Sequence, residues 1–110
     1  MGEGACLTLH VYRSSTLFPR DGIYGLTSQM RRASASIGAN IAEGCCRKGD
    51  GEFGRFLQIA MGSASELEYH LRLARDLSLL KTSEYERLVD AAIEVKRMLT
   101  SLMQKLRADG

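Results

Sequence analysis

An all-helical fold, an up-and-down antiparallel four-helix bundle with a short first helix, is predicted by three observations. Apolar residues recur at alternating steps of three and four, proline is nearly absent, and the breaks between periodic stretches are short. From Gly22 to Gly110 there is no proline, a residue that costs about 3 kcal/mol in a helix interior. Aromatic residues are 6% of the chain and no stretch alternates apolar with polar positions, so strands lack support. A length of 110 residues suits a single domain, 1–110.

The first helix is expected over about residues 5–17, where Leu7 and Val11, followed by Phe18, form a sparse stripe. The second is expected over 21–47, opening at Asp21 behind Pro19, with a seam of Ile23, Leu26, Met30, Ala33, Ile37, Asn40 and Gly44. The third, over 50–79, carries the clearest heptad seam: Phe53, Leu57, Ala60, Ala64, Leu67, Leu71 and Ala74. Asp50 is placed to cap it. The fourth, over 83–107, repeats the seam through Tyr85, Leu88, Ala92, Val95, Leu99, Leu102 and Leu106, with Ser83 and Glu86 as a capping box. Short breaks around Pro19-Arg20, Lys48-Gly49 and Lys81-Thr82 make consecutive helices antiparallel neighbours.

The second segment as one helix would run roughly 40 Å at 1.5 Å per residue, and the first is too short to cover it. The third segment also carries Phe56, Ile59, Leu73, Leu77 and Leu80 outside its seam. One bundle interior cannot bury them all, and apolar patches of that kind mark protein interfaces, so a homo-oligomer is expected.

Hydrophobic residues at 45% and charged residues at 25% place the chain among ordinary globular proteins. No run approaches the roughly 20 apolar residues that span a bilayer, and the first residues lack a secretory pattern, so a cytoplasmic protein with no membrane partner is expected. Cys6, Cys45 and Cys46 are odd in number and match no zinc spacing; reduced thiols are expected.

Catalysis has no visible seat. Glu66 and His70 share a helix face, but two ligands are too few for a metal centre, and a surface pair is the simpler reading. Ser63 and Ser65 lack a third orienting group; with Gly62 and Ala64 they read as small residues that let helices approach closely. No phosphate-loop motif occurs. A non-enzyme without cofactor or metal is the expectation. The remaining signal is basic: from Arg13 to Lys48 six Lys/Arg stand against two acids. A nucleic-acid surface of Arg31, Arg32, Arg47, Lys48 and Arg55 is therefore expected, multiplied by symmetry in an oligomer. The alternative is a structural or protein-interaction module whose cations solubilise it or pair across subunits; a net charge of +2 decides neither way.

The strings Phe18-Pro19, Tyr24-Gly-Leu-Thr-Ser-Gln-Met-Arg-Arg-Ala33 and Ser36-Ile-Gly-Ala-Asn-Ile-Ala-Glu-Gly44, then Glu52-Phe53, Phe56-Leu57, Gly62-Ser63 and Glu66-Leu67, carry a resemblance. Over about residues 17–107 the chain resembles the bacterial four-helix bundle family of 23S rRNA intervening sequence proteins, which includes the accessory variability determinant of diversity-generating retroelements. The resemblance implies a four-helix protomer that assembles as a homopentamer without enzymatic activity. Some members are encoded inside insertions of large-subunit ribosomal RNA genes. The retroelement branch looks like a nucleic-acid-binding barrel that cooperates with a reverse transcriptase. RNA, DNA, a reverse transcriptase or another nucleoprotein are thus the partners it suggests.

Tyr24, Gln29, Arg31, Arg32, Asn40, Glu43 and Gly44 match the family's signature. Asn40 falls on the seam, where a buried amide needs partners and can fix register. Glu43 stands four residues before Arg47 and can pair with it. Gly44 lets a neighbouring helix come close. Arg31 and Arg32 lie about 100° apart on the helix, so only one can face a given neighbour. Gly38 stands where members commonly carry proline, which implies a straighter second helix.

Overall fold

The periodic seams become the facing surfaces of four helices. The structure, a computed structural model, describes residues 2–16, 25–47 and 49–109, with side chains for 7–16, 25–47 and 49–108. Helix α1 spans Gly2–Ser15, α2 Leu26–Cys46, α3 Asp50–Asp76 and α4 Thr82–Asp109. There is no strand among the described residues. Contacts run α1 to α2, α2 to α3, α3 to α4 and α1 back to α4, with α1 and α3 diagonal.

The pairings give the direction of each helix. Thr8 and Ser15 of α1 bond Ser34 and Arg31 of α2. Arg32 and Ser36 of α2 bond Glu66 and Ser63 of α3. Arg75 of α3 stacks on Tyr85 of α4, while Gly54 lies near Leu106. In every pair one index rises as the other falls, so neighbours are antiparallel. The result is a rod with extents of 46 × 22 × 20 Å.

The interior is the predicted one in its middle. Leu57, Ala60, Ala64, Leu67, Leu71 and Ala74 of α3 are buried, as are Leu88, Ala92, Val95 and Leu99 of α4 and Leu7 and Val11 of α1. Each fully buried leucine contributes about 1.5–3 kcal/mol of transfer free energy. On α2 the seam departs from expectation: Ile41 is buried and Asn40 only half-buried. A step of four from Ile37 keeps the apolar side chain inside and leaves the amide at the edge, where it need not be fully desolvated.

Several boundaries also move. Gly25 sits at φ 72, a left-handed conformation that an α-helix interior does not accommodate, so α2 begins at Leu26 rather than continuing from Asp21. Asp21, Ile23 and Tyr24 lie outside the described residues. Gly49, not Asp50, precedes α3; Asp50 is its first residue, where its charge complements the helix dipole without a capping hydrogen bond. Helix α4 starts at Thr82, which puts Ser83 inside the first turn instead of capping it.

The third helix stops at Asp76, short of the expected 79, because Ser78 turns left-handed at φ 61. Ser78 N–H then donates to the Arg75 carbonyl at 2.9 Å and Leu79 N–H to the Ala74 carbonyl at 2.8 Å. These two bonds close a Schellman motif that satisfies carbonyls the helix end would leave bare. The reversal carries Leu80 inward to 6% exposure, which removes it from the expected oligomer surface.

Helix lengths are unequal. At 1.5 Å per residue the 14 residues of α1 span roughly 21 Å and the 28 of α4 roughly 42 Å. Ser14 at the end of α1 bonds Glu84 at the start of α4, at 3.3 Å. The C-terminal half of α4 therefore runs past α1, and there Leu102, Met103, Leu106 and the facing Phe53 are only partly buried.

Candidate functional site

The five cations expected to form one basic surface are placed apart. Arg31 and Arg32 stand near the start of α2, and Arg47 lies just past its end, roughly 22 Å along the axis from Arg32. Lys48 is outside the described residues. Adjacency on the helix sends the first two arginines to different neighbours. Arg31 Nε donates to Ser15 Oγ at 2.9 Å, its Nη2 to the Tyr12 carbonyl at 3.4 Å, and its guanidinium lies 4.7 Å from the Tyr12 ring centroid. It thereby clamps the C-terminal turn of α1, the end where a cation meets the negative pole of the helix. Arg32 instead pairs with Glu66 of α3 at 2.9 Å.

The second group meets at the α2–α3 turn. Arg47 pairs with Glu43, as its spacing predicts, and Arg55 with Glu52 at 3.2 Å. Both guanidiniums also approach Phe56, at 5.5 Å and 4.9 Å from the ring centroid. The Arg55 side chain holds the Glu52 carboxyl below the usual glutamate range, by hydrogen bond first and charge second, with a smaller pull from Arg47. Each pair is exposed, where solvent screens the attraction, so a competing anion or π-system displaces them at little cost.

Phe56 was expected to be part of an oligomer surface; its position is set by Gly44. A Cβ at Gly44 would come within 2.9 Å of the Phe56 Cβ and 2.8 Å of a Phe53 ring carbon. The missing side chain thus allows the close approach of α2 and α3 that the seam position implies. By contrast, Gly62 has nothing within 4 Å and Ser65 is exposed, so these two do not serve helix contact as expected. Ser63 does: its hydroxyl lies 2.9 Å from Ser36 Oγ. Asn40 Nδ2 donates to the Ser36 carbonyl at 2.8 Å and to Ser36 Oγ at 3.0 Å. Asn40, Ser36 and Ser63 form a polar clasp between α2 and α3 that pins their register. Gln29 is exposed on α2, and Tyr24 lies outside the described residues.

Glu66 and His70 meet at 3.2 Å, but His70 is 8% exposed, so this is a largely buried histidine rather than a surface pair. It turns inward beside Leu71, and Glu66 at the rim supplies its polar contact. Among the described residues no group of three or more His, Cys, Asp or Glu could hold a metal ion.

The other exposed feature is apolar. Ile59, Leu73 and Leu77 are 42%, 37% and 40% exposed, and Tyr69 joins them at 65%. At 100° per residue the four fall within an arc of about 80° that turns away from the buried seam, with Leu77 just past the last residue of α3. Leu80 is not among them. Cys45 and Cys46 are exposed free thiols at the end of α2.

Four antiparallel helices, one half-length, with exposed apolar side chains on α3 and arginine–carboxylate pairs along α2, define an all-helical bundle protein. A family model described as 23S rRNA-intervening sequence protein matches residues 3–101, and the chain belongs to that family. Among solved structures, the chain is similar to one from Bacteroides thetaiotaomicron VPI-5482, described as a protein with unknown function from the S23 ribosomal protein family. The TM-score is 0.84 at 24% identity, covering 93% of this chain and 95% of that one, a likeness of fold. No curated protein matches. Among the described residues no helix is long and apolar enough to cross a membrane.

Proposed function

We propose that the protein is a non-enzymatic scaffold that associates with its own copies through the exposed face of α3 and offers the α2–α3 turn to a nucleic-acid or nucleoprotein partner. The observation that carries this reading is the line of Ile59, Tyr69, Leu73 and Leu77, large apolar side chains left in water along one side of a well-formed helix. The family resemblance suggests five copies in a ring. Closure of a ring would repeat the α2–α3 turn of each protomer around an axis. A reverse transcriptase or another nucleoprotein is the kind of partner the retroelement branch suggests.

Light scattering tests the assembly. The wild-type chain is expected to have a mass several times 12.1 kDa, and Leu73→Glu with Leu77→Glu is expected to yield monomers with an unchanged helical spectrum. A wild-type monomer at high concentration would refute it. A purely structural or protein-interaction module is the second reading, favoured by the pairing of Arg32, Arg47 and Arg55 with carboxylates of the same chain. Failure to retard RNA or DNA at low salt would select that reading, because phosphate binding is strongest there.

A further inference from the structure

Sequence spacing shows no stacking motif, yet folding assembles one at the α2–α3 turn. Arg47 comes from the end of α2 and Arg55 and Phe56 from the second turn of α3, and both guanidinium carbons lie within 5.5 Å of the Phe56 centroid. Phe56 is held in place from behind, since its Cβ packs on the bare backbone of Gly44. The two arginine side chains are 50% and 58% exposed, and their ends pair with Glu43 and Glu52. This is an aromatic ring flanked by two guanidiniums and partly open to solvent.

The charge of the segment decides what such a surface recognises. Between Glu43 and Arg55 three cations, Arg47, Lys48 and Arg55, stand against three acids, Glu43, Asp50 and Glu52, so the local net charge is zero. A duplex, which offers phosphates and keeps its bases stacked inside, gains little from a neutral patch. An unpaired base gains much, because guanidinium planes and aromatic rings stack on the face of any base without regard to sequence. We infer that Arg47, Phe56 and Arg55 form a stacking platform for an unpaired base of single-stranded nucleic acid. The inference rests on the nucleic-acid reading above and narrows it from phosphate attraction to base stacking.

The test titrates the full-length protein into a short single-stranded RNA carrying one 2-aminopurine, and in parallel into the same RNA as a duplex. The expected result is quenching of the probe in the single strand, weaker binding of the duplex, and a shallow dependence of affinity on salt. Phe56→Leu preserves the contact with Gly44 and is expected to lower single-strand affinity on the order of tenfold. Arg47→Lys with Arg55→Lys keeps the charge and loses the planes, and is expected to do the same. Circular dichroism of each variant confirms that the bundle is intact. Binding that survives both changes undiminished, or that favours the duplex with a steep salt slope, overturns the platform and leaves nucleic-acid binding by phosphate contacts standing. Failure of both RNAs to bind at low salt overturns the platform together with the reading beneath it.

Discussion

At Gly44 the competition between packing and helix propensity can be weighed directly. Alanine gains about 1 kcal/mol over glycine in a helix interior, but here its Cβ would meet the Phe56 Cβ at 2.9 Å, and overpacking typically costs about 1–3 kcal/mol. Gly44→Ala is therefore expected to lower the thermal midpoint, whereas Gly38→Ala, with nothing within 4 Å, is expected to raise it. Parallel thermal melts of the two variants check the sign. Glu52 offers a second residue-level measurement. Its folded-state pKa is depressed by Arg55, so the pair's stabilisation is present above the ordinary glutamate value and lost as pH falls through the folded value. NMR titration is expected to show the Glu52 carboxyl returning to the ordinary range in Arg55→Ala. The family's adjacent arginines illustrate what was legible in text: their 100° separation foretold different neighbours, while Tyr12, Ser15 and Glu66 as those neighbours required the fold.

Helices, as units, were read well where one face is strictly apolar and poorly where a single backbone angle ends them. The seams of α3 and α4 gave their interiors because the heptad period has one geometric solution. Their ends depend on local dihedrals that leave no mark in hydropathy. Ser78 is the plainest case, since nothing in the run Leu77-Ser78-Leu79-Leu80 announces a left-handed residue. A serine there carries Cβ strain of about 1–2 kcal/mol that glycine avoids, partly offset by the greater freedom of glycine in the unfolded chain. Ser78→Gly is accordingly expected to stabilise the protein by about 0.5–1 kcal/mol, measurable by urea unfolding. An unchanged or lower midpoint would mean that the Schellman turn does not govern how α3 ends. The same turn explains why Leu80, assigned to the surface because it falls outside the seam, is instead part of the core.

For the molecule as a whole, the all-helical class and the order of four helices followed from period and proline content, and the family followed from its ordered signature string. The candidate site followed less well. Net basic composition suggested one continuous patch, but charge read along a chain says nothing of the 22 Å or so that separate the ends of a helix, nor of carboxylates folded against Arg32, Arg47 and Arg55. The aromatic partner of Arg47 and Arg55 was hidden for the same reason: the three side chains come from two helices.

Packing of four described helices at one end of the rod and three at the other has a consequence for how firmly the two ends hold together. Around Leu67 and Leu88 four helices enclose the interior, whereas around Phe53 and Leu106 there are three, with a groove of about 440 Å³ open between Gly54 and Met103. Opening free energy scales with local burial, so the protein should resemble a tube sealed at one mouth and ajar at the other. Native-state hydrogen exchange is expected to show amide protection falling steadily from residue 88 towards residue 106 of α4. Equal protection along that helix in the Leu73→Glu/Leu77→Glu variant would mean that burial by a fourth helix does not set the local opening free energy.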